Sequence, residues 1–274
     1  TEDELVERWG IRKEEATATI LATTLRLVRS LLEPTLNRRY NTNDRMLRYY
    51  RIQCDMYMDT YFAANKLGPS IRGYTCAQLF VTDFGWCKVK PMKLKSELPL
   101  ALKSLFKEDG VPEKMICDGA AEQVGGDSKR LCQLSDCTIQ QLDRGTPWAN
   151  RAEGYVGIIK NTISNDLKIS NCLMVLWCYA SERRSKILSS TSRNIYSLGG
   201  KVPATMMTGR ETDISALAET KLYEWVYYRD HGSFPDNKEK LGRVIGLLRN
   251  ESNEIAQAIV RSKAAVVPRR TMRK

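Results

Sequence analysis

The chain alternates between two hydrophobic periods, and the switches between them mark its elements. Residues 3–9 and 13–33 read as helices broken at Gly10. Leu5, Val6 and Trp9 supply an apolar face, and Ile11, Ala16, Ile20 and Leu21 continue it after the turn. Pro34 ends the second helix. Residues 54–63, 74–82 and 85–90 read as strands, the last pair turning at Asp83-Phe84-Gly85. A helix follows over 95–109, with Leu98, Leu102, Leu105 and Phe106 on one face. Short strands at 114–117 and 137–142 precede two long helices, at 147–168 and 171–190. In the first of these Ala152, Val156, Ile159, Ile163 and Leu167 form the apolar stripe, with Thr146 as N-cap and Pro147 at the first helical position. Residues 191–220 are rich in Ser, Thr, Gly and Pro and read as a linker with short turns. Strands are then expected at 222–230, 241–248, 254–262 and 264–268. Strands alternating with helices predict an α/β core, preceded by a helical module and followed by a small β unit.

Composition narrows the partners. In 274 residues, 43 Lys and Arg face 32 Asp and Glu, a formal charge of +11, which favours an anionic partner. Nothing reads as a membrane span or signal peptide, so nucleic acid is the expected partner rather than a membrane. The eight cysteines form no Cys-x-x-Cys and sit in apolar runs, so they read as reduced core residues of a nuclear or cytoplasmic protein. His231 is the only histidine, and no zinc site of the usual His/Cys kind is expected. The chain begins at Thr1 and reads as a piece of a longer product.

Two segments fit nucleic acid directly. Helix–Gly–helix at the N-terminus fits a helix-turn-helix, or equally a plain αα-hairpin; the basic context favours the first. Residues 38–51 carry five arginines and three tyrosines against the single acid Asp44, fitting phosphate contacts and base stacking, or a solvated basic linker.

Three carboxylates carry the chemistry. Asp59 lies inside the strand run Met56-Tyr57-Met58-Asp59-Thr60-Tyr61-Phe62, where a bare carboxylate is costly unless paired. Asp55 shares its face by period 2 and is its rival. Asp118 follows the run Met115-Ile116-Cys117, and Glu153 borders the stripe of the long helix, 34 residues intervening. Acidic groups from separate elements can hold two hard divalent cations about a phosphodiester. Lys160 lies two turns beyond Glu153, roughly 10 Å along the axis, where it could meet a phosphate backbone or be a solvated lysine. Asn150 and Arg151 could line the same loop.

These residues resemble the catalytic core of retroviral and retrotransposon integrases. Asp59-Thr60, Thr82-Asp83-Phe84-Gly85-Trp86, Cys117-Asp118-Gly119-Ala120 and Pro147-Trp148-Ala149-Asn150-Arg151-Ala152-Glu153 occur in that family's order. Thr208-Gly209-Arg210-Glu211-Thr212-Asp213-Ile214-Ser215, Trp225-Val226-Tyr227-Tyr228 and Lys240-Leu241-Gly242-Arg243 resemble segments of copia-type elements. The Asp118–Glu153 spacing is one residue short of the family pattern. The likeness is close over 53–220 and loose at both flanks.

The resemblance implies a ribonuclease-H-like core, a mixed five-stranded sheet flanked by helices, with an SH3-like C-terminal unit. It implies Asp59, Asp118 and Glu153 as catalytic ligands of two Mg2+ ions, with Mn2+ substituting, and selects Asp59 over Asp55. Lys160 would contact DNA near the cut. The expected organisation is a helical module at 1–33, a basic linker at 34–52, the core at 53–190, a linker at 191–220 and the β unit at 221–274. Retroviral integrases carry a zinc-bound His-His-Cys-Cys module that this sequence does not contain; either it lay upstream or residues 1–33 take its place. The implied activity is processing and joining of cDNA 3′ ends into target DNA by a homo-oligomer. A nuclease that cuts without joining, and a domesticated copy that only binds DNA, are the alternatives.

Overall fold

The computed structural model describes residues 1–25, 50–63, 68–143, 149–229, 239–249, 255–261 and 265–274. The expected basic segment up to Tyr49, residues 26–33 of the expected second helix and the Thr146-Pro147 helix start lie outside them. The continuous helix expected over 13–33 is broken after Ala22, where Thr23 is extended and Thr24 forms a bridge with Asp213.

Helices α1 (Glu2–Trp9) and α2 (Lys13–Ala22) come first. The core sheet then follows as β1 (Arg51–Phe62), β2 (Cys76–Thr82), β3 (Cys87–Met92), β4 (Val111–Cys117) and β5 (Thr138–Gln141), in the order β3-β2-β1-β4-β5. β1 is antiparallel to β2 and β2 to β3, whereas β1–β4 and β4–β5 are parallel. The parallel pairs need crossovers, supplied by α3 (Leu98–Glu108) and by α4 (Ala121–Val124) with α5 (Gly126–Leu134). This mixed sheet with helices on both faces has the ribonuclease-H-like arrangement.

Strand parity builds two cores. Met56 and Met58 of β1 join Met115 and Cys117 of β4 against Leu98, Leu102, Leu105 and Phe106 of α3. That is the α3 face the sequence predicts. On the opposite face Tyr61, Leu79, Val81 and Val89 meet Ala152, Val156, Ile159, Ile163 and Leu167 of α6 (Arg151–Ile169). This is the expected α6 stripe. Each of its four larger members contributes about 1.5–3 kcal/mol of burial.

The helix expected over 171–190 starts later. Asn171 adopts φ 51, a short 3-10 turn covers Met174–Leu176, and α7 runs Trp177–Ser190. α7 covers the open edge of β3. Ser189 Oγ accepts from the Cys87 N–H (2.9 Å) and donates to the Cys87 carbonyl (2.8 Å), which occupies edge groups that could template pairing. Beyond it, α8 (Pro203–Thr208) and α9 (Ser215–Ala218) bury Met207, Ile214 and Leu217.

The C-terminal strands β6 (Trp225–Arg229), β7 (Glu239–Arg249), β8 (Ile255–Val260), β9 (Val266–Arg269) and β10 (Met272–Arg273) form a separate antiparallel sheet, ordered β10-β6-β7-β8-β9. Its Ile245, Ala258 and Val260 pack into the same cluster as Trp177 and Ala180 of α7.

Two buried arginines of α7 tie the N-terminal helices to this body. Arg184 ion-pairs with Asp166 of α6 (Nε to Oδ2, 2.8 Å) and donates to the Trp9 carbonyl (2.8 Å). Arg183 donates to the Thr220 carbonyl (2.9 Å), and burial pulls its guanidinium down to about 10. Leu5, Trp9 and Ala16 are buried against Ile187, Ile214 and Leu217, and the Trp9 indole donates to the Leu217 carbonyl (3.3 Å). All eight cysteines are buried and free. Among the described residues no helix is long and apolar enough to cross a membrane.

Candidate active site

The site forms where β1 and β4 run side by side. Their register pairs Met56 with Met115 and Tyr57 with Ile116. Asp59 follows Tyr57 by two residues and Asp118 follows Ile116 by two, so both lie just beyond the paired stretch of these neighbouring strands. Both lie on the face that α6 covers, because Asp59 shares parity with Tyr61 and Asp118 with Ile116. Asp55 shares that face too, but faces Lys114 across the same ladder (3.6 Å) and is engaged there.

Asp59 is half-buried, and its electrostatics report its neighbours. Burial raises its pKa above the ordinary carboxylate value, and the Asp118 and Glu153 carboxylates raise it further. The Thr60 N–H, which donates to Asp59 Oδ1 (2.7 Å), and the Lys160 ammonium act in the opposite direction. Asp59, Asp118, Glu153 and Lys160 therefore share one electrostatic neighbourhood, although they come from β1, the end of β4 and α6.

Each partner is set by local structure. Asp118 is exposed at the strand end, and the chain turns at once through Gly119, at φ +83. A Cβ there would lie 2.1 Å from Gln141 Nε2, so only glycine lets Gln141 lie across this turn. Asn150 is buried and serves two ends. Its Oδ1 accepts from the Ala152 N–H (3.1 Å), capping α6, and its Nδ2 donates to Asp118 Oδ1 (2.7 Å). One amide thus couples the start of the Glu153 helix to the second aspartate. The observed cap is Asn150, where the sequence pointed to Thr146.

Arg151 is exposed and donates to the Asp83 carbonyl (2.8 Å), joining α6 to the β2–β3 turn. In that turn Gly85 sits at φ +86, where a Cβ would meet the Tyr155 hydroxyl at 2.5 Å; Arg193 donates to that hydroxyl (2.9 Å). Glu153 and Lys160 both lie on the exposed side of α6, and the Lys160 ammonium stands 5.8 Å from the Tyr61 ring centroid. Asn150 in its double role, Gln141 and Arg193 were not visible as partners in the sequence.

The donors are hard carboxylate oxygens, the type Mg2+ and Mn2+ prefer, and a cation would relieve the repulsion that raises Asp59. The positions are more open than the donor chemistry. Among the described residues, no three His, Cys, Asp or Glu side chains are gathered closely enough to hold a metal ion.

No protein-family model matches the chain, and no curated protein matches it. Solved structures do. The HTLV-2 integrase catalytic core domain in complex with magnesium, in its trimeric form, is 17% identical, with a TM-score of 0.43 over 58% of this chain and 99% of that chain. Its dimeric form is 16% identical, with a TM-score of 0.42 over 60% and 100%. A simian T-cell lymphotropic virus intasome in complex with PP2A regulatory subunit B56 gamma is 15% identical, with a TM-score of 0.47 over 97% of this chain and 91% of that chain. At identities and TM-scores this low, the likenesses say nothing of the chemistry.

Proposed function

We propose that this chain is an integrase of a copia-type retrotransposon, a metal-dependent polynucleotidyl transferase that processes cDNA 3′ ends and joins them to target DNA. The reading rests on one observation. Asp59 and Asp118 lie on the sheet face that α6 covers, and Glu153 and Lys160 of α6 are near enough to act on the Asp59 carboxylate. Divalent cations held by the three carboxylates would lower the pKa of the attacking hydroxyl or water and offset charge on the leaving oxygen.

The chain's own groups do the rest. Asn150 fixes the Asp118 carboxylate and the first turn of α6 together, which sets the distance from Asp118 to Glu153. Thr60 fixes one oxygen of Asp59. Lys160 holds a backbone phosphate next to the acids, and Arg151 braces the β2–β3 turn at the rim. The net charge of +11 favours association of the chain with duplex DNA. A homo-oligomer would bring two ends together.

The open placement of the carboxylates favours one other reading, a domesticated copy that binds DNA without cutting it. Incubation of the full chain with Mg2+ or Mn2+, end-randomised duplexes and a target plasmid separates the readings. Sequencing of joined products is expected to show joining that Asp59→Asn, Asp118→Asn and Glu153→Gln each abolish. Cleavage without junctions would reduce the protein to a nuclease, and binding without either would leave a DNA-binding copy.

A further inference from the structure

On the C-terminal sheet, the face whose Ala258 and Val260 pack beside α7 continues across β7 and β6 into an exposed part with a composition that burial does not explain. Along β6 the pattern is exposed, buried, exposed, buried, exposed, which places Trp225, Tyr227 and Arg229 outward. Trp225 is 52% exposed and Tyr227 42% exposed, in a protein whose other described tryptophans are buried. The ladder sets Arg243 opposite Trp225, and Leu241 and Arg273 on either side of Tyr227. Leu241 is exposed as well.

The arginines here are organised by rings. The Arg243 guanidinium lies 4.0 Å from the Trp225 centroid and 4.3 Å from that of Tyr223, and Nη1 donates to the Tyr223 carbonyl (3.0 Å). Tyr223 holds φ +63, an uncommon state for an aromatic residue and one that must be sustained by its surroundings. Arg273 stands 5.2 Å from the Tyr227 centroid and ion-pairs with Glu239 (2.8 Å). Glu239, which the ladder sets opposite Arg229 and which pairs with Arg273, shares this face with Arg229, Arg243 and Arg273.

We propose that this face is a stacking platform for an unpaired nucleic-acid strand. Trp225 and Tyr227 are two residues apart on one strand, so their rings project about 7 Å from each other. An exposed ring beside a guanidinium offers a base a π-face and its phosphate a cation. The base faces of a duplex are hidden in its own stack. A duplex could therefore use only the arginines, whereas an unpaired strand engages both sets. The excess of positive charge on the face supplies the complementarity that an uncharged protein partner would not need. The strand can be DNA or RNA, because the π-face is common to both.

The test is fluorescence anisotropy of the full chain with a labelled oligothymidine, an oligouridine and a duplex, in chelator. Without divalent cations the outcome does not depend on the carboxylate site. Trp225→Ala and Tyr227→Ala are each expected to weaken both single strands about tenfold while the duplex changes less than about twofold. Trp225→Phe, which keeps a ring and guards against misfolding, is expected to retain most of the affinity. Both strands weakened alike support the shared stacking chemistry, and a larger effect on one identifies it as the source. Equal losses on strand and duplex, no loss on either, or a Trp225→Phe as weak as Trp225→Ala would overturn the proposal. So would variants that change sedimentation but not strand binding, which would make the face a contact between copies.

Discussion

Gly119→Ala tests the turn that places Asp118, and its cost divides into two parts. Alanine at φ +83 enters left-handed backbone, at about 1–2 kcal/mol. The added Cβ also meets Gln141, 2.1 Å from Nε2, 2.4 Å from Cδ and 2.7 Å from Cγ, far inside contact distance. That overpacking costs about 1–3 kcal/mol if Gln141 stays and less if its flexible end swings out. Gln141 is exposed, so Gln141→Ala alone is expected within about 0.5 kcal/mol of wild type. In that background Gly119→Ala should cost only the backbone part, leaving a coupling of about 1 kcal/mol or more in the cycle. Urea unfolding followed by tryptophan fluorescence measures all four proteins. Metal-dependent DNA cleavage, run in parallel, should fall in Gly119→Ala, because the Asp118 carboxylate moves with the turn. A Gly119→Ala protein within 0.5 kcal/mol of wild type, or one equally costly in both backgrounds, would refute the reasoning.

The other expectations concern charge. Because Asp59 is raised in the folded state, the native chain binds more protons than the unfolded one, and stability falls as pH rises from the ordinary Asp value of about 3.9 through the raised one. Without divalent cations, Asp59→Asn should therefore be the more stable protein at neutral pH and lose its advantage in acid; parallel pH-melting curves would count against this. Arg184→Met should cost about 3–5 kcal/mol in urea unfolding by stranding Asp166, and adding Asp166→Leu should recover most of it; a double variant as weak as the single would place the cost in lost packing. Lys160→Ala should weaken duplex binding by about 1 kcal/mol for any sequence and reduce the salt slope by about one, while Lys168→Ala does less; an unchanged slope would remove Lys160 from the DNA path.

The sequence carried the parts of this fold that repeat locally. The α6 stripe is a 3.6-residue period, and Ala152, Val156, Ile159, Ile163 and Leu167 are buried as that period demands. The placement of Asp59 on the face opposite Met56 and Met58 follows from period 2. What it could not carry depends on partners distant in the chain. The β1–β4 register, which brings Asp59 and Asp118 just beyond the same paired stretch, joins residues 59 positions apart. Asn150 reads as a loop polar residue until Asp118 is beside it. Nothing local announces the burial of Arg183 and Arg184, because the carbonyls of Thr220 and Trp9 that accept from them are distant in the chain. Helices α4 and α5 were not anticipated: each is short, and their buried residues, Gln123 in α4 and Ser128 and Cys132 in α5, give a weak apolar signal. The late start of α7 turns on Asn171 in left-handed backbone, a state that asparagine permits without announcing it.

The central claim is that three carboxylates hold the cations of a phosphoryl transfer, and manganese anomalous diffraction addresses it most directly. Crystals of the full chain with a DNA end and Mn2+ should show anomalous density bounded by Asp59 and Asp118, with Glu153 drawn in as a third ligand. The same density should be absent in Asp118→Asn. Manganese found only away from these residues, at a concentration that supports DNA cleavage in solution, would contradict the account.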